Sequence, residues 1–334
     1  MPRMPLPGRW RKGLSVAVPT LAALVLPAGA SAAELKVVAS FKPLHSLVAA
    51  IMQGAGQPSL LVKGAASPHS YALKPSDARS LESADVVFWL GEGMELFLVK
   101  PLAALPAHAR VVELGDTPGL VLLKPRAGGV WEAHRHDVDE TAAADDHGAA
   151  AGGDHDADPH AAYDSHLWLD PENARRLVAP IVQTLSEADP DHAALYAANG
   201  AALDRRLRDL DRELASALAP AKDVPFIVFH DAYQYLEARY GLTGVGSITV
   251  SPEQPPGAKR LQEIRRKVED QQARCVFREP NFAPTLVDNM ISGTAARTGV
   301  LDPEGAGLTE GPDLYFALMR GLAQSLRLCL VAGR

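Results

Sequence analysis

The sequence lacks several features that would point to common classes of enzyme or binding protein. Only two of its 334 residues are cysteine, and their spacing does not form a CxxC redox or zinc motif. It contains neither HExxH nor G-x-S-x-G, so the local signatures of zinc peptidases and serine hydrolases are absent. No apolar run is long enough to cross a bilayer as a helix. Acidic residues outnumber basic ones, 40 to 33, and the resulting net charge of −7 disfavours nucleic acid as a partner.

The N-terminus has the pattern of an export signal. Four basic residues precede the apolar run 14–26, and small residues follow at 27–33. This pattern predicts a signal peptide over residues 1–33, cleaved near 32–33, and a periplasmic protein with no membrane insertion after cleavage. An uncleaved anchor is the alternative, whereas a lipid anchor is disfavoured because no cysteine lies near the cleavage point. Removal of the signal leaves a net charge of −11, which suits a cation as partner.

Strand-like and helix-like segments alternate along the remaining chain, as in α/β proteins. Apolar runs at 35–40, 59–63, 85–90 and 109–114 predict parallel strands, and the alternation restarts at 225–230. Between these two regions, leucines at three- and four-residue steps predict a helix over 190–218, about 40 Å long. We therefore expect two α/β lobes joined by one long helix. We also expect the protein to be a monomer. The predicted organisation is an N-terminal lobe over 34–185, a linking helix over 186–220 and a C-terminal lobe over 221–334.

Local signals predict further details of these elements. Ser76 is expected as the N-cap of a helix in "PSDARSLESA", and another helix is expected over 284–298, before a short strand at 299–302. Cys275 lies in a predicted strand and Cys329 near the end of a predicted helix. In an oxidising compartment, a disulfide between them is our interpretation, and two buried free thiols are the alternative.

Histidines and carboxylates lie where strands are predicted to end, the edge at which open α/β sheets bind ligands. His69 follows the strand at 59–63, His230 ends "FIVFH", and His166 precedes "LWLDP". Glu279 and Asp302 end two later strands. Taken alone, a histidine at a strand end is more often a hydrogen-bonding residue than a metal ligand, Asp302 could be a turn residue, and Glu279 could pair with an arginine. Together, three imidazoles on separate loops of two lobes could form a tetrahedral zinc site, completed by a carboxylate or water.

Four segments resemble signature regions of one family. They are "ASPHSYALKPSD" (66–77), "SHLWLDPENAR" (165–175), "FIVFHDAYQYLEARYGL" (226–242) and "TGVLDPEG" (298–305). They are similar to the cluster A-I metal-binding proteins of ABC importers, most closely to the periplasmic proteins of high-affinity zinc uptake. The resemblance implies two Rossmann-like lobes, a rigid connecting helix, a metal site in the interlobe cleft, and delivery of Zn²⁺ to a membrane permease. It also implies a disulfide.

The same resemblance implies the metal ligands. They fall on His69, His166 and His230, with Asp302 from the C-terminal lobe, while Glu279 is expected to support the site or the interlobe contact. Some zinc-specific members carry a glutamate immediately before the first histidine, but this chain has Pro68, which cannot ligate a metal. The fourth ligand is therefore Asp302 or water. Manganese-binding relatives often replace the third histidine by glutamate, so His230 favours zinc over manganese.

Residues 127–164 form a polar insert rich in His, Asp, Ala and Gly, with too few apolar residues to hold a fixed shape. Our hypothesis is a secondary, low-affinity metal loop that raises the local zinc concentration. A solvated linker without a role is the alternative. The histidines concerned are His134, His136, His147, His155 and His160.

Other functions share parts of this pattern. A periplasmic zinc chaperone or a manganese-binding importer component would use a similar site. Three histidines with an open position would also suit a zinc hydrolase, but neither a general base nor a nucleophile arrangement is evident. We therefore expect a binding protein and not an enzyme.

Overall fold

The computed structural model describes most of the chain after the predicted signal. Contacts divide the chain into two units, Met1–Glu34 and Leu35–Arg334, and both sheets lie in the second unit. The predicted signal peptide, apart from residues 1, 4 and 8, and the five insert histidines lie outside the described residues. Within the described part, no helix combines the length and apolar character needed to traverse a bilayer. The described residues are 34–105, 108–126, 163–249, 256–280, 282 and 285–331, with residues 1, 4 and 8.

The N-terminal lobe is built on a parallel sheet of four strands in the order β2-β1-β3-β4. β1 and β3 are buried along their whole length, as continuous apolar runs of a covered parallel sheet are expected to be. The strands are β1 (Val37–Phe41), β2 (Ser59–Val62), β3 (Val86–Trp89) and β4 (Arg110–Glu113), with helices α1 (Lys42–Met52), α2 (Pro75–Glu82) and α3 (Val99–Ala103).

Two consecutive helices follow, α4 (Pro171–Ala188) and α5 (Ala193–Leu218). α4 begins at Pro171, and the Asp170 carboxylate caps it by accepting the N–H of Glu172. α5 buries a stripe of leucines at helical spacing and packs on α1, on α4 and on the C-terminal helix Leu314–Leu330. The two helices approach closely at Gly200, where a Cβ atom would lie 2.4 Å from Val182 Cγ2.

The C-terminal lobe repeats the architecture, with a second parallel sheet in the order β6-β5-β7-β8. This sheet confirms the prediction of two parallel α/β lobes. Its strands are β5 (Phe226–His230), β6 (Gly244–Thr249), β7 (Cys275–Arg278) and β8 (Arg297–Val300), with helices α6 (Gln234–Tyr240), α7 (Ala258–Asp270), α8 (Thr285–Ile291) and α9 (Leu314–Leu330).

Two local predictions were wrong. α2 begins at Pro75, so its N-cap is Lys74 and not Ser76. The fixed φ of proline suits the first helical position, and the Asp77 carboxylate accepts the N–H of Lys74. The helix expected over 284–298 ends at Ile291, because Gly293 adopts φ +80 and parallel pairing with β7 draws residues 297–300 into β8.

One apolar core crosses from the first lobe to the second. It includes Phe41 of β1, Leu44 of α1, Leu210 of α5, and Phe277 and Tyr315 of the second lobe. The predicted disulfide is present and links β7 to α9 through Cys275 and Cys329, with a Cα–Cα distance of 6.1 Å. Burial of this continuous core holds the two sheets together, so that the carboxyl ends of their strands contribute to one site.

Candidate metal centre

Three histidines from distant parts of the chain meet between the lobes. His230 is the last residue of β5, His69 lies in the loop after β2, and His166 precedes a short 3₁₀ turn at Leu167–Leu169. His166 and His230 are 3% and 2% exposed, whereas His69 is only partly buried. The cluster is therefore closed on two sides and reachable from the side of His69.

The spacing of the ring nitrogens fits a shared metal ion. His166 Nε2 lies 3.1 Å from His69 Nε2 and 3.3 Å from His230 Nε2. All three candidate ligand atoms lie within 4.8 Å of one another. Zn–N bonds are about 2.0–2.1 Å long, so two ligands of a tetrahedral zinc ion are about 3.3 Å apart. The three imidazoles could therefore bind one zinc ion after small adjustments.

Carboxylates hold the other ring nitrogen of two of the histidines. His166 Nδ1 lies 2.7 Å from Asp164 Oδ1, and His230 Nδ1 lies 2.5 Å from Glu279 Oε1. A carboxylate accepts a hydrogen bond from Nδ1–H, which fixes the tautomer that leaves the Nε2 lone pair for a metal. Both carboxylates are buried, at 6% and 4% exposure. The arrangement therefore orients Nε2 of both rings toward the centre of the cluster.

Tyr233 adds a further contact on the side of the C-terminal lobe. Its hydroxyl donates to Glu279 Oε1 at 3.4 Å, and its ring centroid lies 6.3 Å from that of His230. Burial, together with the nearby carboxylates of Glu279 and Asp302, raises the pKa of the Tyr233 phenol well above its usual range. The phenol therefore stays protonated and remains a hydrogen-bond donor to Glu279.

Asp302 lies in the loop after β8, and its carboxylate is engaged within that loop. Its Oδ1 accepts the N–H groups of Glu304, at 3.2 Å, and Gly305, at 2.8 Å. Among the described residues, the group of possible metal ligands comprises the three histidines and does not include Asp302. Ligation by Asp302 thus stays a prediction. It would require the Asp302 carboxylate to bind the metal while it also accepts the backbone N–H groups of its loop.

Sequence reasoning missed Asp164 and a buried ionic network beside the cluster. Arg126 binds Asp231 and Glu237, with Nε 3.0 Å from Asp231 Oδ2 and Nη1 2.6 Å from Glu237 Oε2. Asp231 directly follows His230 in the chain. The spacing of Asp164 and His166 in "DSH" could have indicated the contact between them. The partners of Arg126 are 105 and 111 residues away in the sequence, so no local pattern indicates them.

The structure also shows where the polar insert joins the body. The N–H of Asp164 donates to Leu123 O at 2.7 Å, which connects the residues on either side of the insert. The Tyr235 hydroxyl donates to Asp164 O at 2.7 Å and accepts the N–H of Leu123 at 3.1 Å. The described residues that flank the insert are therefore bonded to each other and to Tyr235 of α6, close to His166.

Comparison with known proteins agrees with this architecture. Residues 37–329 match the family model of ZnuA, the zinc-uptake complex component A, periplasmic. The chain is 53% identical over 304 residues to the high-affinity zinc uptake system protein ZnuA of Brucella abortus (strain 2308), covering 88% of this chain and 91% of that protein. It is 34% identical over 328 residues to the protein of the same name from Yersinia pestis, covering 96% and 98%.

Solved structures show the same fold. Zn(II)-bound AdcA from Streptococcus pneumoniae superposes with a TM-score of 0.67 at 27% identity, covering 89% of this chain and 58% of that one. The family match spans both sheets and all three histidines of the cluster. The chain belongs to the ZnuA family of periplasmic zinc-uptake components.

Proposed function

We propose that this protein captures Zn²⁺ in the periplasm and delivers it to an ABC-type permease. The observation that supports the proposal is the convergence of three imidazole Nε2 atoms, two of them on rings whose Nδ1 atoms contact buried carboxylates. Neutral imidazole is a preferred zinc ligand, and an all-nitrogen set from three residues disfavours manganese, which prefers oxygen ligands. Zinc is the transported ion here and not a resident cofactor.

In this proposal His69, His166 and His230 bind the ion, and Asp302 is the candidate fourth ligand. Asp164 and Glu279 hold the rings of His166 and His230 and keep Nε2 free for the metal. His230 comes from the C-terminal lobe and the other two from the N-terminal lobe, so a bound ion bridges the lobes. Separation of the lobes would remove a ligand from the ion, which is a route to its release.

The family consists of solute-binding transport components, and we infer that this member is not an enzyme. A carrier needs a closed set of ligands, whereas a zinc hydrolase needs an exchangeable water and a base beside it. Hydrolysis of simple esters by the zinc-loaded protein would contradict this inference. The partner in the membrane is inferred from the family and would be tested in cells. Unimpaired growth of a deletion strain under zinc limitation would favour the chaperone alternative.

The ligand set is tested by calorimetric titration of the mature chain with zinc in the presence of a competing chelator. We expect alanine at His69, His166 or His230 to weaken binding by at least about a hundredfold, because each change removes a metal–ligand bond. His108, an exposed residue in the loop before β4, provides the matched control. His108→Ala, like alanine at any of the five insert histidines, should change binding much less.

Equal losses across these two sets of variants would show that the ligand assignment is wrong. Asp302→Asn is expected to weaken binding less than alanine at any of the three histidines, since water can take the fourth position. Titration with Mn²⁺ under the same conditions distinguishes the alternative metal. Tighter binding of manganese than of zinc would contradict the proposal.

A further inference from the structure

A buried lysine connects the two lobes beside the candidate metal centre. Lys42 is the first residue of α1 and is 5% exposed. Its Nζ donates to the carbonyl oxygens of Gly305, Ala306 and Leu308, at 2.9, 3.0 and 3.2 Å. An ammonium group has three donors, so all of them are used. The three acceptors belong to one loop of the C-terminal lobe, more than 260 residues away.

That loop, residues 302–308, has internal bonds of its own. The N–H of Leu308 donates to Gly305 O at 3.0 Å, and Asp302 Oδ1 accepts the N–H groups of Glu304 and Gly305. Gly305 adopts φ +74, a conformation that other residues rarely adopt. The loop thus presents its carbonyl groups together, and a single cation in the opposite lobe binds them.

Two further contacts join the same loop to the segments that carry His69 and His166. Trp168 Nε1 donates to Pro303 O at 2.9 Å, and the Trp168 ring centroid lies 5.3 Å from that of His166. Ser67 Oγ donates to a Glu304 carboxylate oxygen at 3.5 Å and accepts the N–H of His69 at 3.3 Å. Displacement of the loop would therefore disturb the support of two of the three histidines.

We propose that Lys42 is a positioning residue that sets how long zinc stays bound, by holding the loop 302–308 of the C-terminal lobe against the His69 and His166 segments. This inference rests on the proposed zinc-binding function. The Lys42 bonds join the lobes by combining a buried ammonium group with three backbone acceptors. Hydrogen bonds to charged groups are stronger than neutral ones, and separation would leave the carbonyl groups unpaired until water reached them. Opening of the lobes for release thus requires detachment of the loop from Lys42.

The test compares Lys42→Met, which keeps the length of the side chain and removes its donors, with Lys42→Arg, which keeps the charge. Zinc dissociation is followed by stopped-flow mixing of the loaded protein with excess chelator. We expect dissociation from Lys42→Met to be about tenfold faster or more, with association changed less than about threefold, and partial restoration in Lys42→Arg. Lys100→Met, at an exposed lysine of α3, is the matched control and should match the parent.

Amide hydrogen exchange of the loop in the zinc-free proteins provides a second readout that does not depend on metal. The N–H groups of Gly305 and Leu308 should exchange faster in Lys42→Met than in the parent. If Lys42→Met does not fold, Lys42→Gln keeps two donors and serves in its place. Unchanged zinc dissociation in a folded variant would overturn the proposal, even if the melting temperature falls.

Failure of the two proposals would look different. If the parent protein binds no zinc, the proposed function fails and the residence-time proposal fails with it, whatever the exchange data show. If the parent binds zinc tightly and Lys42→Met releases it at the parental rate, only the role of Lys42 is rejected.

Discussion

At the scale of single residues, the proposed metal centre depends on groups that are not themselves candidate ligands. Asp164 contacts His166 twice, through ring Nδ1 at 2.7 Å and through the backbone N–H at 3.0 Å. The carboxylate therefore fixes both the ring orientation and the start of the 3₁₀ turn that follows. Such partners of metal-binding histidines commonly account for one to two orders of magnitude in affinity.

Asp164→Asn should weaken zinc binding by about tenfold or more, because the neutral amide is a poorer acceptor for Nδ1–H. Calorimetric titration against a competing chelator measures the change. The chain offers a matched control, since Asp189 makes the same kind of bond to Nδ1 of His192 at 2.7 Å, outside the cluster. Asp189→Asn should leave zinc binding unchanged. Equal effects of the two changes would show that the Asp164 contact has no special role.

Glu95 is a fully buried carboxyl group at the carboxyl edge of the first sheet. It accepts the N–H groups of Leu90 and Gly91 and bonds the hydroxyl of Ser40. Burial raises the pKa of Glu95 from 4.5 to about 7, against the lowering effect of these hydrogen bonds. Between about pH 4.5 and pH 7 the folded protein therefore keeps a proton that the unfolded chain has lost, and stability falls as pH rises through this window.

Glu95→Gln should flatten this pH dependence, because the amide stays neutral at every pH. The free energy of unfolding of the zinc-free parent should fall by up to about 3 kcal/mol more than that of the variant between pH 4.5 and 7.5. Urea unfolding at a series of pH values measures this difference. Glu82→Gln, at an exposed residue of α2, should retain the parental slope. A parental slope in Glu95→Gln would contradict the assignment.

At the scale of elements, a buried ionic network joins Arg126, directly before the insert, to Asp231 after β5 and to Glu237 of α6. The side chains of Arg126, Asp231 and Glu237 are 18%, 7% and 7% exposed. Burial raises the pKa of Glu237, and the Arg126 guanidinium opposes that change. The two carboxylates also raise the pKa of Arg126. Arg126 is thus the cation shared by two buried carboxyl groups, and its removal would leave both without it.

Arg126→Met should destabilise the protein by about 3 kcal/mol, since it leaves two buried carboxylates without their shared cation. Chemical denaturation measures the free energy of unfolding. Arg110→Met is the contrasting variant, because the Arg110–Glu187 pair is 44% and 48% exposed. Its loss should cost far less, because solvent screens an exposed ion pair. Similar losses in both variants would show that burial of the network is not what makes it important.

At the scale of the whole molecule, a bound ion would connect the two sheets through ligands of both lobes. Any ligand that binds only the folded state stabilises it in proportion to the logarithm of its concentration. Free zinc at about a hundred times its dissociation constant should therefore add about 2.7 kcal/mol to the free energy of unfolding.

Scanning calorimetry with zinc and with chelator tests this expectation. For a chain of this length, the added free energy corresponds to a rise of about 4 °C in melting temperature. His230→Ala should abolish the rise in melting temperature, although it removes a ligand from the C-terminal lobe alone. A shift that persists in His230→Ala would show that the stabilising ion binds elsewhere.

Local patterns in the sequence were sufficient for the two-lobed α/β fold, the alternation of its strands and helices, the cysteine pair and the candidate histidines. These features follow from backbone periodicity, burial and short motifs, which act over a few residues. The positions of helix ends were predicted less well. α2 has Lys74 as its N-cap because proline occupies the first helical position, and α8 ends at Ile291 because residues 297–300 pair with β7. Only the tertiary structure decided which atoms meet. The proximity of distant residues depends on how both sheets pack around one core. This packing determines the 3.1 and 3.3 Å distances between the imidazole nitrogens, the Asp164 and Glu279 contacts, and the bonds of Lys42 and Arg126.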